Sequence, residues 1–500
     1  MTKKQILGII ALILSLLMAV SVFVGCNSTA PESAQTPAAT EQNGSANKKT
    51  DEIIEEEVNA EEASPFTEYI KAEQEAFETL FPVSTGIKDV KFDESSLKNE
   101  IIISDYCGKD FDIYSKDMGD GSYMHVAKET NLQQFSRFLT ELIGDGATYY
   151  TSNKIGSNFF VTLVTKKQII NTMYFKTERE VRVTVDDRAK FSLPGLVEEN
   201  TYQIFGRASL TMVAIEETGW PGGMGFIYEL TDGSFLIVDG GYTNRNDSGK
   251  TTVSSANWFT KTIKKLARDP ENIRIAAWFI THPHRDHYGA LVELAESAEC
   301  LEDIKIEKVI YNNPAEQYLS ESGTTLSAAW METAIEKWNP DEIVKAHPGQ
   351  VIYVRDAVLT VYSSPDVVLP CDEKMTDANN FNTVAMIDYQ GKRGLYMGDS
   401  SWILNPIIAR IYNKDFKADI LQLAHHGYGD TDAGKVYTYV DPSIVLWPMC
   451  TSHFRDICSG VGFNRQFFSD GIDNHVALRE NLTIRDFKTW QPESRWDPTK

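Results

Sequence analysis

The fold is decided by one short segment, Thr281-His282-Pro283-His284-Arg285-Asp286-His287. The apolar run Ile275–Ile280 precedes it, so we expect a buried strand to end where the polar side chains begin. His282 and His284 alternate along the segment and can point to one metal ion, whereas Asp286 and His287 can reach a second one. Imidazole nitrogen and carboxylate oxygen suit zinc, and they also suit iron or manganese. The segment therefore predicts a site for two divalent metal ions, with zinc as the first choice.

The string His282-Pro283-His284-Arg285-Asp286-His287 resembles the signature of the metallo-β-lactamase superfamily. The resemblance covers roughly residues 202–487. It implies an α/β fold, the αββα sandwich of that superfamily, and the activity of a metal-dependent hydrolase.

Two aspartates that follow predicted strands fit the same family pattern. Asp239 in Asp239-Gly240-Gly241 resembles the early Asp-Gly element, which implies a supporting role beside the metal ligands; the alternative is a plain Asp-Gly turn. Asp399 in Leu395–Ser400 resembles the later strand-Gly-Asp element, in which the carboxylate bridges both ions. Two cations a few ångströms apart need an anion between them. Asp286 and Asp399 are therefore the candidate catalytic residues.

The run Ile420–Gly427 resembles the last histidine element of the superfamily. His426 fits the pattern because it stands immediately before Gly427, and His425 fits if the chain turns one residue earlier. One of the two is expected to complete the second metal, and the other to contact substrate or shield the site. The predicted metal ligands are His282, His284, Asp286, His287, Asp399, His425 and His426.

One position departs from the common pattern. Many members place a third histidine for the first metal in a His-Thr-x-Gly-Ser element, but here the corresponding stretch is Asp377–Thr383, with Asn379 and Asn380. This stretch resembles the Asn-rich element of the ComEC-like extracytoplasmic subgroup, and it implies that both asparagines lie beside the ligands or the substrate. Between His287 and Asp399 the sequence contains one histidine, His347. It is interpreted as a turn residue before a strand, with metal ligation as the alternative.

The subgroup resemblance bears on the reaction. Its relatives include extracellular phosphodiesterases, such as the choline-phosphate esterases of cell-wall teichoic acid. We therefore expect hydrolysis of a phosphodiester or related anionic ester, in a small molecule or a cell-envelope component. The alternatives are a lactam or lactone hydrolase of the β-lactamase kind, and a surface binding protein that has lost turnover.

The amino terminus has the pattern of a targeting segment. Lys3 and Lys4 precede the uncharged apolar stretch Ile6–Val24, and Gly25-Cys26 then resembles a bacterial lipobox. This predicts a lipoprotein signal peptide over residues 1–26, a lipid anchor at Cys26 and a location on the outer face of the bacterial cytoplasmic membrane. An uncleaved transmembrane anchor is the alternative.

Residues 27–63 are rich in small and polar residues, which predicts a disordered tether. Residues 64–195 are predicted to form a small α+β domain of unknown role, and residues 202–487 the hydrolase domain. Predicted helices of the two domains include Phe66–Phe81, Ala290–Leu301, Leu326–Trp338 and Trp402–Tyr412.

The net charge of −23 bears on whether the protein binds nucleic acid. A protein that grips duplex nucleic acid needs a basic face, because the phosphate backbone supplies most of the attraction. We therefore expect no stable nucleic-acid binding.

Overall fold

The computed structural model describes most of the chain between residues 65 and 446. The described ranges are 65–83, 95–106, 113–118, 121–195, 202–213, 223–245, 251–315, 318–319, 324–370, 375, 377–427, 431–446, 448 and 482–485. The predicted signal peptide, Cys26 and the predicted tether lie outside these ranges.

The chain divides into two compact units, Met1–Pro82 and Val83–Lys500. The first unit contains helix α1 (Pro65–Leu80), where the sequence predicted a helix over Phe66–Phe81. Among the described residues, no helix combines the length and the apolar character needed to cross a membrane.

The second unit begins with an antiparallel sheet, here called the amino-terminal sheet. Its strand order is β1-β2-β6-β5-β4-β3. The strands are β1 (Ile113–Asp117), β2 (Tyr123–Ala127), β3 (Thr148–Ile155), β4 (Asn158–Val164), β5 (Gln168–Phe175) and β6 (Glu180–Asp187). Helix α2 (Leu132–Gly144) begins at Asn131, whose side chain accepts a hydrogen bond from the backbone N–H of Gln134 in a capping box. Phe135 of this helix stacks on Tyr174 of β5, so the apolar face of the helix covers the sheet.

The rest of the second unit alternates strands and helices. The strands are β7 (Ser209–Met212), β8 (Gly225–Glu229), β9 (Phe235–Asp239), β10 (Thr243–Arg245), β11 (Thr251–Ser254), β12 (Ile273–Phe279), β13 (Ile304–Ile306), β14 (Lys308–Tyr311), β15 (Glu342–Lys345), β16 (Val351–Val354), β17 (Ala357–Ser363), β18 (Val384–Tyr389), β19 (Lys392–Tyr396), β20 (Ile420–Gln422), β21 (Ile444–Leu446) and β22 (Leu482–Arg485).

The helices of this region follow the same order. They are α3 (Ser255–Leu266), α4 (Gly289–Leu294), α5 (Ala298–Asp303), α6 (Thr324–Trp338), α7 (Pro365–Val368), α8 (Leu404–Tyr412) and α9 (Gly434–Val440), with 3₁₀ turns at Ile103–Tyr106, Ala378–Phe381, Asn413–Phe416 and Ala424–Gly427. The single helix predicted over Ala290–Leu301 is wrong, because the chain leaves the helix at Ala295 and a new helix begins after Ser297. The hydroxyl of Ser297 accepts from the backbone N–H of Cys300 and caps the second helix.

Most strands of this region belong to two mixed sheets. The first sandwich sheet has the order β15-β14-β12-β9-β8-β7-β22, with β13 beside β12, and the second has the order β16-β17-β18-β19-β20-β21. Strand β12 runs parallel to both β9 and β14. Apart from Arg274, its side chains are buried, as expected for an inner parallel strand covered on both faces.

The two sandwich sheets pack face to face and are covered on their outer faces. Phe226, Val238 and Phe279 of the first sheet share a core with Leu359 and Ile387 of the second. On the outer face of the first sheet, the core includes residues of α3, α4 and α6, such as Ile263, Leu291 and Ile335. On the outer face of the second sheet, it includes Leu404, Ile408 and Val436 of α8 and α9. This layering confirms the predicted α/β sandwich.

The amino-terminal sheet lies within the same compact unit as the sandwich. Val126, Phe160 and Met173 belong to the same buried cluster as Met386 and Leu395 of the second sandwich sheet. The predicted domain boundary, between residues 195 and 202, falls between β6 and β7, and it stays a prediction.

Candidate metal centre

The histidine segment begins one residue after Ile280, at the carboxyl end of β12. Its first residue, Thr281, is held by Asp239, which ends β9 next to β12. The backbone N–H and the hydroxyl of Thr281 donate to Asp239 Oδ1 at 2.9 and 3.0 Å. Asp239 is fully buried and also accepts from His287 Nδ1 at 2.9 Å. This hydrogen bond fixes the His287 ring and leaves its Nε2 directed at the other ligands.

The predicted ligands come together in two groups. His282, His284 and Asp399 form one, and their ligand atoms all lie within 4.8 Å of one another. Asp286, His287, Asp399 and His426 form the other by the same measure. Asp399 belongs to both groups, which is the arrangement expected of a carboxylate between two ions.

The distances place the Asp399 carboxylate in the middle of the site. Asp399 Oδ2 lies 3.1 Å from His287 Nε2, 3.5 Å from His426 Nε2 and 3.9 Å from His282 Nε2. Asp286 Oδ2 lies 3.0 Å from His426 Nε2 and 4.0 Å from His287 Nε2. These imidazole nitrogens and carboxylate oxygens therefore face a common space.

Buried polar atoms at this place lack hydrogen-bond partners. His282 Nε2 and Asp399 Oδ1 are both inaccessible to solvent and unpaired. Buried polar groups are normally satisfied, and each exception calls for an explanation such as an ion. The donor set of imidazole and carboxylate matches what zinc, iron or manganese accept. The residues present therefore fit a pair of divalent metal ions.

The electrostatics of the site also favour cations. Burial alone would raise the pKa of Asp399, but attraction to His287 and His426 holds it well below its usual value. Burial alone would lower the pKa of His287, but the carboxylates of Asp399, Asp239 and Asp286 raise it well above its usual value. The effect of the carboxylates on the pKa of His287 thus exceeds the effect of burial. A metal ion can take the place of the proton that the carboxylates would otherwise stabilise on His287.

His282 differs from His287. Burial lowers its pKa well below the usual value, and repulsion from His287 and His284 adds to the effect. A lowered pKa favours the neutral imidazole, which is the form that binds a metal.

The geometry separates the two histidines that the sequence left open. The His426 side chain is 3% exposed and belongs to the second ligand group, whereas that of His425 is 27% exposed, with its Nε2 4.0 Å from Asp399 Oδ2. Both residues have positive φ, 48° and 52°, which interrupts the 3₁₀ turn Ala424–Gly427. The burial of His426 and its place in the second ligand group favour it as the ligand, and His425 lies at the rim of the site.

The Asn-rich element also lies at the site. Asn380 Oδ1 accepts from Ser401 Oγ at 2.6 Å, so it holds the loop that follows Asp399. Asn379 Oδ1 is buried without a partner. Asp377, which the sequence analysis did not single out, places its Oδ1 3.7 Å from His284 Nε2.

Two further residues that the sequence analysis missed set the position of Asp399. Asn382 accepts from the backbone N–H of Asp399 at 3.1 Å and donates to Met397 O at 2.6 Å. Gln422 Oε1 accepts from the backbone N–H groups of Met397 and Gly398, each at 2.7 Å. The sequence signal for them was their position, because Asn382 and Gln422 stand inside the stretches Asp377–Thr383 and Ile420–Gly427, which resemble elements of the family.

His347 does not join the ligands. It begins a turn before β16, as predicted, with the backbone N–H of Gln350 donating to its carbonyl. Its ring lies between Asp186 and Asp366, at 2.7 and 2.6 Å, in the joint between the amino-terminal sheet and the second sandwich sheet. Both ring nitrogens are engaged there, so the alternative of metal ligation is wrong.

Comparison with known protein families finds a match over part of the chain. Residues 220–433 match the sequence model of the Metallo-beta-lactamase superfamily, a span that contains every predicted metal ligand. No curated protein sequence matches the chain.

The solved structures that match the chain are distant from it in sequence. The metallo-beta-lactamase fold protein YhfI from Bacillus subtilis is 11% identical, with 56% of this chain and 100% of that chain covered and a TM-score of 0.34. CmlA, a diiron β-hydroxylase from Streptomyces venezuelae, is 13% identical over 58% and 55% of the two chains, with a TM-score of 0.29. A possible metal-dependent hydrolase from Veillonella parvula is 10% identical over 56% and 100%, with a TM-score of 0.30.

Proposed function

We infer from the metallo-β-lactamase superfamily domain at residues 220–433 that the protein is a metal-dependent hydrolase, and we propose that it cleaves a phosphodiester or related anionic ester with two divalent metal ions. The observation that carries the proposal is the Asp399 carboxylate, which is shared by the two ligand groups and has one buried oxygen without a hydrogen-bond partner.

The charge of the site supports an anionic substrate. Two divalent ions would bring four positive charges, and the carboxylates of Asp286 and Asp399 supply two negative ones. When bound, such ions make a water molecule a nucleophile near neutral pH and stabilise negative charge on the ester oxygens. The excess of positive charge would draw an anion to the site in a chain whose net charge is −23.

The residues of the site have different roles in this proposal. His282, His284, His287 and His426 would hold the ions with the two carboxylates, while Asp239 fixes the His287 ring through Nδ1. The Asp286 side chain is 31% exposed, whereas that of Asp399 is 2% exposed. Of the two carboxylates, Asp286 is therefore the one that substrate and water can reach.

The resemblance to the ComEC-like subgroup favours the phosphodiester over the lactam. It rests on the Asn379-Asn380 element in place of a third histidine and on His425-His426-Gly427. In this element Asp377 lies beside His284, with its Oδ1 3.7 Å from His284 Nε2.

Substrate assays discriminate the candidate functions. Purified, metal-replete protein is expected to release nitrophenol from bis-(p-nitrophenyl) phosphate and to leave the lactam nitrocefin intact. Turnover of nitrocefin without phosphodiester cleavage would instead support the lactam or lactone hydrolase, and inactivity on both would support a binding protein.

Metal analysis tests the shared carboxylate directly. We expect Asp399→Ala to lose bound metal relative to the wild type, because the variant lacks the ligand common to both groups. Asp341→Asn is the matched control, since Asp341 is an exposed aspartate paired with Lys305 and should leave metal content unchanged. An Asp399→Ala protein with the full metal content would exclude the dinuclear assignment.

We further propose that the hydrolase is anchored outside the bacterial cytoplasmic membrane through a lipid on Cys26. The support is the sequence alone: Lys3, Lys4, the apolar stretch and Gly25-Cys26. Metabolic labelling with a fatty acid should mark the wild type and not Cys26→Ala, and equal labelling of both would contradict the proposal.

A further inference from the structure

The two ligand groups of the metal centre differ in size. The four-residue group, as it is called here, consists of Asp286, His287, Asp399 and His426. The three-residue group consists of His282, His284 and Asp399. We propose that the four-residue group binds its metal ion more tightly than the three-residue group does, so that the protein takes up its two ions in a fixed order. The inference rests on the dinuclear site of the proposed function and concerns how that site is loaded.

The ligand atoms of the four-residue group already have the spacing of a tetrahedral metal site. Zinc binds nitrogen and oxygen at about 2.0–2.1 Å, so neighbouring ligand atoms of a tetrahedral site lie about 3.3 Å apart. Asp286 Oδ2 lies 3.0 Å from His426 Nε2 and 4.0 Å from His287 Nε2. Asp399 Oδ2 lies 3.5 and 3.1 Å from the same two nitrogens. This group therefore needs little rearrangement to close around an ion.

The four-residue group also has more negative charge. It contains the carboxylates of Asp286 and Asp399, whereas the three-residue group contains Asp399 alone. A further carboxylate, that of Asp239, supports the four-residue group by accepting a hydrogen bond from His287 Nδ1 at 2.9 Å. The number of charged ligands and the rigidity of a site both raise the affinity for a cation. A carboxylate that holds a ligating imidazole adds to that affinity.

Burial favours the same order of affinity. Each group has one partly exposed member, Asp286 at 31% and His284 at 22%. Three buried ligands remain in the four-residue group when that member is set aside, and two remain in the three-residue group. Attraction between an ion and its ligands is stronger where water is excluded, because the effective dielectric constant is lower there. The ion of the four-residue group would therefore gain more from its buried ligands.

Asp377 lies beside the three-residue group without belonging to it. Its Oδ1 is 3.7 Å from His284 Nε2 and accepts a hydrogen bond from the backbone N–H of Asn379 at 2.9 Å. It is not among the residues whose ligand atoms all lie within 4.8 Å of one another. Among the described residues, the three-residue group therefore has no fourth ligand at that distance.

The difference in affinity would make the enzyme depend on metal supply. Partners that only support a metal ligand are worth about 10–100-fold in metal affinity. One ligand fewer therefore predicts dissociation constants that differ by at least about 100-fold. At free metal concentrations between these two constants, the protein would hold one ion, in the four-residue group. Because the proposed reaction uses both ions, hydrolysis would follow the free metal concentration over this range.

The test is a zinc titration of the metal-free full chain, followed by calorimetry in the presence of a competing chelator. The wild type should bind two equivalents in two steps, the first at least about 100-fold more tightly than the second. His284→Ala should abolish the weaker step and keep the tight one, because it removes a ligand of the three-residue group alone. His426→Ala should weaken the tight step, because it removes a ligand of the four-residue group alone.

Asp341→Asn is the control and should titrate as the wild type does, because Asp341 is exposed and pairs with Lys305. Circular dichroism of the metal-free proteins checks that each variant is folded. Two equivalents bound by the wild type with equal affinity would overturn the proposal. A tight step that His284→Ala loses and His426→Ala keeps would overturn it as well.

Hydrolysis of bis-(p-nitrophenyl) phosphate, measured in the same samples, separates this inference from the proposed function. Two unequal binding steps without any hydrolysis would support the order of affinity and refute the proposed reaction. Hydrolysis by a protein that binds its two equivalents equally would refute the order of affinity alone.

Discussion

At the level of single residues, Gly398 decides where the shared carboxylate lies. It directly precedes Asp399 and has a φ of +49°, which side chains of L-residues disfavour. A Cβ at this position would overlap Asn382 Oδ1 and would lie 2.7 Å from the side chain of Thr281. The same two residues hold Asp399 and Asp239 in place, so any added atom displaces the loop that carries the ligand.

Gly398→Ala is therefore expected to lose bound metal and to lower the melting temperature. The backbone strain alone costs about 1–2 kcal/mol, and the overlap adds to it. Gly391→Ala is the control, because Gly391 has a φ of +76° but an added Cβ meets nothing within 4 Å. The control should lose stability and keep its metal, and equal metal content in both variants would contradict the role assigned to Gly398.

The sequence predicts the ligands better than the residues that position them. Its histidine segment is a local pattern, and His282 to His287 are read from spacing alone. Asn382 and Gln422 instead act on the backbone beside Asp399, 17 and 24 or 25 positions away. Asparagine and glutamine are common residues, and only the packed structure shows which backbone groups they reach.

At the level of elements, His347 ties the amino-terminal sheet to the sandwich. It is fully buried and contacts Asp186 of β6 through Nε2 and Asp366 of α7 through Nδ1. Burial alone would lower the pKa of His347, but the carboxylates of Asp366 and Asp186 raise it to about 9. Lys345 also contacts Asp186, so the joint joins cations and carboxylates that are all buried.

This predicts a falling stability at alkaline pH. Because the folded pKa is raised above the unfolded value of about 6.5, the stabilisation is fully present below about pH 6.5 and is lost as the pH rises through about 9. His347→Gln should be destabilised by about 3–5 kcal/mol at neutral pH, because it leaves two carboxylates short of a charge. Its unfolding free energy should also depend less on pH than that of the wild type.

His125→Gln serves as the control, because burial lowers the pKa of His125 and no carboxylate raises it. Urea unfolding of metal-loaded protein at intervals between pH 6 and 10 measures all three proteins. If the unfolding free energy of His347→Gln depends on pH as that of the wild type does, His347 is not the cause of the loss of stability at alkaline pH.

This joint could not be predicted from the sequence. The turn at His347 is local and was predicted correctly, but Asp186 stands 161 positions away. The contact between His347 and Asp186 exists only because the amino-terminal sheet packs on the sandwich. Alternating apolar and polar residues predict strands, but they do not predict which sheets pack on each other.

At the level of the whole molecule, the amino-terminal sheet is part of a shared core. Val126, Phe160 and Met173 are buried in one cluster with Met386 and Leu395. Arg182 adds to this contact by donating to the backbone carbonyls of Asp366 and Val367, at 2.8 and 2.7 Å. The sandwich without the sheet would expose an apolar face of that cluster.

Two deletions test this dependence. Removal of residues 1–63 should leave the melting temperature of the second unit unchanged, because that unit begins at Val83. Removal of residues 1–195 should give aggregated protein, since it uncovers the cluster and takes away Asp186, so that His347 keeps only Asp366 as a partner. A soluble, cooperatively folded chain that starts at residue 196 would show the sandwich to be self-sufficient.

The position of Asp399 also affects how the two sandwich sheets unfold locally. The histidine segment leaves the first sandwich sheet at the end of β12, whereas Asp399 leaves the second at the end of β19. Ions held between them would act as a cross-link between the two sheets. Amide hydrogen exchange in β12 and β19 should then be slow and correlated in the loaded protein, and chelation should let the two strands exchange independently.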